Sequence, residues 1–341
     1  MRRLPLYLFA YVALLGLLDE RPLWAGEPAL LPPAILSSAI QPPALVTQTQ
    51  ATCGHELYLV STRHLADCCA IHTKAGREAF QPKVARWTDG GRWSPATLEE
   101  LTQPADPRLT VLFVHGNRMT AEESVAQGVR SFQRLISEAC DAPPVRFIVW
   151  SWPSEPLIIP VLRDTHIKLC RAETESHFVA QFLGRLPATT PVKVIGFSLG
   201  ARVVSGSLHL LGGGMLGDQP LDITDRVRQT PVRAMLVAGA IDQDWLLPGG
   251  YHSAALSQVD RMFLTYNPRD IVLRYYPMLG IRPGVEAAGY EGLAGLSLLG
   301  PEVAKVDQRN ITSLVQRHHF WTVYLDNPAV MALLRREALA R

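Results

Sequence analysis

Between residues 56 and 340 the chain alternates short, almost wholly apolar runs with longer segments whose apolar residues recur every three or four positions. The short runs are Glu56–Thr62 (ELYLVST), Leu109–Val114 (LTVLFV), Val145–Trp150 (VRFIVW) and Val192–Phe197 (VKVIGF). A continuous apolar run of this length predicts a strand buried on both faces. Val232–Ala238, Arg261–Tyr266 and Ile311–Val315 read as three further strands. Among the longer segments, Thr120–Cys140 places Val125, Val129, Phe132, Leu135 and Ile136 at helical spacing, with Thr120 and Glu123 as a capping box. Ala172–Leu186 carries Phe178, Phe182 and Leu183 on one face. Ala201–Leu211 stops at three consecutive glycines, and Asn327–Ala340 forms a last helix. Strands alternating with helices predict βαβ units, hence an α/β fold with a mostly parallel central sheet and helices on both faces. No internal repeat interrupts this order, and residues 51–341 are expected to form one domain.

The first 50 residues differ from the rest. A basic head, Met1-Arg2-Arg3, precedes fifteen uncharged residues, Leu4–Leu18, and the charged trio Asp19-Glu20-Arg21. Residues 1–26 therefore read as a secretory signal peptide, with an uncleaved N-terminal anchor as the alternative, since the apolar run is short for a span. Residues 27–50 hold five prolines and one charge and read as a linker. The expected location is exported: periplasmic, extracellular or membrane-anchored.

Charge and cysteine content narrow the function classes. Thirty-three Lys and Arg against 31 Asp and Glu give a net charge of +2, without the basic excess of a nucleic-acid binder. Five cysteines, Cys53, Cys68, Cys69, Cys140 and Cys170, show no zinc spacing. In an exported chain Cys53 could pair with Cys68 or Cys69, with Cys140 and Cys170 read as small buried hydrophobes. No metal or cofactor is expected.

The candidate chemistry centres on one turn. Gly196-Phe197-Ser198-Leu199-Gly200 matches G-x-S-x-G and lies between an apolar strand and a helix. This is the setting of a nucleophile elbow, in which a strained turn lifts a serine hydroxyl above the sheet. Gly196 and Gly200 leave the turn room to close. A developing oxyanion needs donors from two loops. The backbone N–H groups of Leu199, at the helix start, and of Asn117, in the His115-Gly116-Asn117-Arg118 turn, are the candidates. His115 itself is read as a structural residue that holds its loop.

The sequence resembles the α/β-hydrolase superfamily, and within it a branch of uncharacterised bacterial hydrolases with esterase- or lipase-like sites. The resemblance runs in order from Leu57 to Trp321: LYLVSTR, FVHGNR, VWSWPSE, RAETES, GFSLGAR, YNPRDIVLR and HHFW. It implies a Ser-acid-His order along the chain. His318 and His319 follow the last strand, where the superfamily places its base. The pattern of aromatic residues two and three positions after the histidine favours His318, with His319 as the alternative. Asp270, in the turn Asn267-Pro268-Arg269-Asp270, stands where the family keeps its acid, and Asp242 is the alternative. The expected protein is then a serine hydrolase acting on small-molecule or lipid carboxylic esters through Ser198, His318 and Asp270. A non-catalytic scaffold binding an apolar ligand or a protein partner is the rival of another class. Thioesterase or peptidase action on the same triad is the nearer one. Residues 275–305 read either as a mobile cap or as a packed excursion.

Overall fold

The computed structural model describes residues 53–65, 80–88, 91–102, 108–137, 139–221, 231–279 and 282–340. The expected signal segment, the linker, Cys68 and Cys69 lie outside the described residues. Nine strands form one sheet: β1 (Glu56–Ser61), β2 (Lys83–Thr88), β3 (Arg92–Ala96), β4 (Leu109–Val114), β5 (Val145–Ser151), β6 (Val192–Phe197), β7 (Val232–Val237), β8 (Val259–Tyr266) and β9 (Val306–Asn310). Their spatial order is β9-β8-β7-β6-β4-β5-β1-β2-β3. All neighbours from β9 to β1 pair in parallel; β2 and β3 extend the edge as an antiparallel hairpin.

The central strands β4, β5 and β6 are buried at nearly every position, as their apolar runs require. Helices cover both faces. On one, α2 (Val161–Arg185) packs on α3 (Leu199–Leu211). On the other lie α1 (Ala121–Phe132), the π-helical turn Gln133–Ser137 that continues it, α4 (Trp321–Asp326) and α5 (Pro328–Leu339). The α1 capping box is formed: Thr120 Oγ1 accepts from the Glu123 N–H, and the Glu123 carboxylate accepts from the Thr120 N–H at 2.8 Å.

Three expectations are corrected. The strand expected at Ile311–Val315 is one turn of helix, Thr312–Val315, and the strand is the polar segment Val306–Asn310 just before it. Ile311, Leu314 and Val315 are apolar at helical spacing, whereas β9 is an edge strand with no buried residue. Cys53 pairs with Cys140, not with Cys68 or Cys69. Cys140 is therefore an exposed half-cystine at the end of the β4–β5 crossover, and Cys170, half-buried, is disulfide-bonded too. Neither is a buried small hydrophobe.

Parallel strands deliver all their C-terminal ends to one edge of the sheet. The loops after β4, β6, β7, β8 and β9 therefore meet there, carrying Asn117, Ser198, Asp242, Asp270 and the two histidines.

Candidate active site

Ser198 sits between β6 and α3 with φ 54° and ψ −119°, a backbone conformation that costs a non-glycine residue of order 1–3 kcal/mol. The surroundings hold it there. Its N–H donates to Val237 O at 3.0 Å, and its carbonyl accepts from the N–H groups of Ala201 at 3.0 Å and Ala240 at 3.1 Å. The flanking glycines are sterically required: a Cβ on Gly200 would lie 2.2 Å from Val114 O, and one on Gly196 2.5 Å from Gly200 O. The elbow is thus wedged against the end of β4, which brings the Asn117 loop beside it.

That loop is fixed by the segment after β5. Burial, and secondarily the charge of Arg63, lowers the fully buried His115 to about 3, so its ring is neutral. Nδ1 faces Gly116 O at 2.8 Å and Nε2 faces the Trp152 N–H at 3.2 Å. These partners require the proton on Nδ1, with Nε2 accepting. The Trp152 indole N–H donates back to His115 O at 2.9 Å, and Ser154 Oγ donates to Gly116 O at 3.1 Å. Trp152 and Ser154 are the Trp and Ser of the Trp-Pro-Ser segment. Behind them, Arg63 donates to Ser151 Oγ, the Glu155 carboxylate, Met119 O and Thr120 O. The buried Glu175 carboxylate accepts from Thr62 Oγ1 and from the Trp150 indole. The sequence segments around residues 62, 115, 152 and 175 therefore form one framework under the site.

At the elbow, Ser198 Oγ lies 2.9 Å from His319 Nε2, and His319 Nδ1 lies 2.7 Å from Asp270 Oδ2. Asp270 is fully buried, and its Oδ1 accepts from the N–H groups of Val272 and Leu273, each at 2.9 Å. With every donor around the carboxylate pointing at it, the ring proton belongs on Nδ1, leaving Nε2 to accept from the serine hydroxyl. The imidazole packs against Phe197 with ring centroids 5.3 Å apart.

His318, the favoured histidine of the pair, does not occupy this place. Gln316 turns the chain with φ 55°, and the His318 N–H closes a turn onto Val315 O at 3.1 Å. That turn exposes His318 and directs His319 to Ser198. Asn267 fixes the turn from the acid's loop, donating from Nδ2 to Gln316 O at 2.8 Å, while the Ile271 N–H donates to Arg317 O. The alternative acid is also placed elsewhere. Asp242 accepts from the Tyr276 hydroxyl at 2.6 Å and from Arg282 Nε at 2.7 Å.

A cavity of about 620 Å³ opens over Ser198 and His319, with Asn117 and Leu199 in its wall. Its far wall comes from residues 156–169, including Pro156, Val161 and Leu169, at the start of α2. The segment 275–305 contributes Tyr276 to the wall. Residues 286–289 are hydrogen-bonded to the chain after β7: the Gln243 N–H donates to Glu286 O, Ala288 to Ile241 O and Gly289 to Gly239 O. That stretch is a packed excursion. Among the described residues no group of His, Cys, Asp and Glu is arranged to hold a metal ion.

The parallel sheet, the crossover helices on both faces and the serine at the strand-to-helix elbow make this an α/β-hydrolase fold. No family model and no curated protein matches the sequence. Similar solved structures include acyl-protein thioesterase 2 of Zea mays, with 15% identity, TM-score 0.37, and 69% of this chain and 96% of that one covered. TT1662 from Thermus thermophilus has 15% identity and TM-score 0.38 over 76% of this chain and 95% of that one. The catalytic core of an acetyl xylan esterase from Trichoderma reesei has 11% identity and TM-score 0.33 over 60% and 82%.

Proposed function

We propose that the protein is a serine hydrolase that cleaves carboxylic esters through Ser198, His319 and Asp270. The observation that carries this reading is the unbroken hydrogen-bonded line from Ser198 Oγ through His319 to Asp270 Oδ2 at the floor of a cavity. In the proposed reaction Ser198 Oγ attacks the ester carbonyl while His319 Nε2 takes its proton. Asp270 keeps the imidazole oriented and stabilises the imidazolium. The backbone N–H groups of Leu199 and Asn117 receive the oxyanion. His319 then returns the proton to the leaving alcohol, and a water activated by the same nitrogen releases the acid from the acyl-serine. The partly apolar cavity wall suits an ester with a hydrocarbon portion, of small-molecule or lipid origin.

A panel of p-nitrophenyl esters of graded chain length tests the reading, with Ser198→Ala as control. Turnover by the wild type and loss of several orders of magnitude in the variant are expected. Equal turnover by the variant would sink the assignment. Activity confined to thioesters or peptides would keep the triad and replace the substrate class. We further propose export, as a secreted or N-terminally anchored protein. The Cys53–Cys140 disulfide supports an oxidising compartment. An alkaline-phosphatase fusion to residues 1–50 that stays inactive would refute it.

A further inference from the structure

Three segments, residues 156–166, 269–279 and 316–320, supply wall residues to the cavity over Ser198. They carry Ile158, 96% exposed, Met278 at 49%, Leu162 at 45% and Phe320 at 40%. Phe320 is itself in the cavity wall, Ile158 lies between the wall residues Pro156 and Val161, Leu162 follows them directly, and Met278 is two residues beyond Tyr276. Large apolar side chains gathered around an opening mark an interaction surface, whereas single scattered ones do not.

The charge of the same segments is one-sided. Arg163, Arg269, Arg274 and Arg317 are exposed. The two carboxylates, Asp164 and Asp270, are buried and bound to Lys168 and His319. On the remaining side the first turn of α1 brings Glu122 and Glu123, the latter tied back to the Thr120 N–H. In a chain with a net charge of only +2, this is a local concentration of cations.

We propose that the rim docks the protein on an anionic lipid surface, with the cavity facing the lipid. Apolar tips interleaved with arginines match what such a surface presents, hydrocarbon beneath a layer of phosphates. The chemistry favours lipid over a folded partner, because the exposed apolar residues lie on segments that line an open cavity. A protein seated there would seal it, while a lipid surface supplies molecules able to enter. What docking serves rests on the hydrolase reading; docking itself does not.

The test is flotation of the full chain with vesicles of phosphatidylglycerol and phosphatidylcholine, against phosphatidylcholine alone. The expected result is binding to the anionic vesicles that weakens with salt, and at least a tenfold lower partition coefficient for Ile158→Asp/Leu162→Asp. An unchanged thermal midpoint shows that this variant is folded. Arg163→Glu/Arg274→Glu gives an independent reading of the charged half, with the same expected loss. Flotation equal in wild type and both variants, as when the apolar N-terminal run does the binding, overturns the proposal. So does equal binding to both vesicle types, or a wild-type dimer that Ile158→Asp/Leu162→Asp dissociates, which would assign the face to a second copy. A protein that floats without fluorophosphonate labelling at Ser198 keeps the docking and loses the hydrolase reading. One that is labelled but does not float does the reverse.

Discussion

Replacing Glu175 by glutamine should change how stability depends on pH. Glu175 lies under the site, fully buried, with its carboxylate against Thr62 and the Trp150 indole. Burial raises it from 4.5 to about 7, against the opposing effect of those two hydrogen bonds. At about 1.36 kcal/mol per pH unit, ionising it in the folded protein costs about 3 kcal/mol more than in the unfolded chain. Because the folded state holds this proton more tightly, its contribution is complete below pH 4.5 and is lost as the pH rises to about 7. His115, lowered to about 3, acts in the opposite direction: its neutral ring loses stability as the pH falls below 6.5. Only the difference between wild type and Glu175→Gln isolates the carboxyl. Urea unfolding at pH 5 and pH 8 should show the wild type losing about 2.5 kcal/mol more than the variant between the two, since part of the effect is already lost at pH 5. The lost hydrogen-bond acceptor costs the variant the same at both pH values and cancels. Parallel pH profiles would refute the reasoning.

Asp270→Asn should lower kcat about ten-thousand-fold by disturbing the His319 tautomer. Asp242→Asn should leave it within about tenfold, because Asp242 is engaged by Tyr276 and Arg282; steady-state kinetics on one cleaved ester compares them. Trp152→Phe removes the donor to His115 O and should cost about 1–3 kcal/mol of stability in urea unfolding. It should also cost about tenfold in kcat/KM, as the Asn117 loop loosens. Cys53→Ser/Cys140→Ser opens a link between residues 87 apart and should cost about 4 kcal/mol in the same unfolding measurement.

What was legible in the sequence follows the strength of the local signal. Strands β4, β5 and β6 announce themselves because burial on both faces demands continuous apolar runs. Ser198 and Asp270 are legible because an elbow and a strand-end turn need particular residues at fixed spacing. The histidine register is not, because it depends on which residue of a short turn takes positive φ. Here that is Gln316, a residue type with no preference for it. β9 is hidden because an edge strand needs no apolar face, and hydrophobic Ile311–Val315 beside it offers a stronger false signal. The Cys53–Cys140 pairing, the Asn267 tether and the Trp152–His115 bonds join residues distant in sequence, so spacing alone could not reveal them. The motif segments themselves were visible; their meeting in one framework required the fold.

The central claim is that His319, and not its neighbour, activates Ser198. Labelling with a soluble fluorophosphonate, followed by intact mass and peptide mapping, tests it on wild type, His318→Ala and His319→Ala. One adduct on Ser198 is expected in the wild type and in His318→Ala at comparable rates, with labelling of His319→Ala slower by at least a thousandfold. Wild-type labelling of His319→Ala, or an adduct on any residue other than Ser198, would contradict the account.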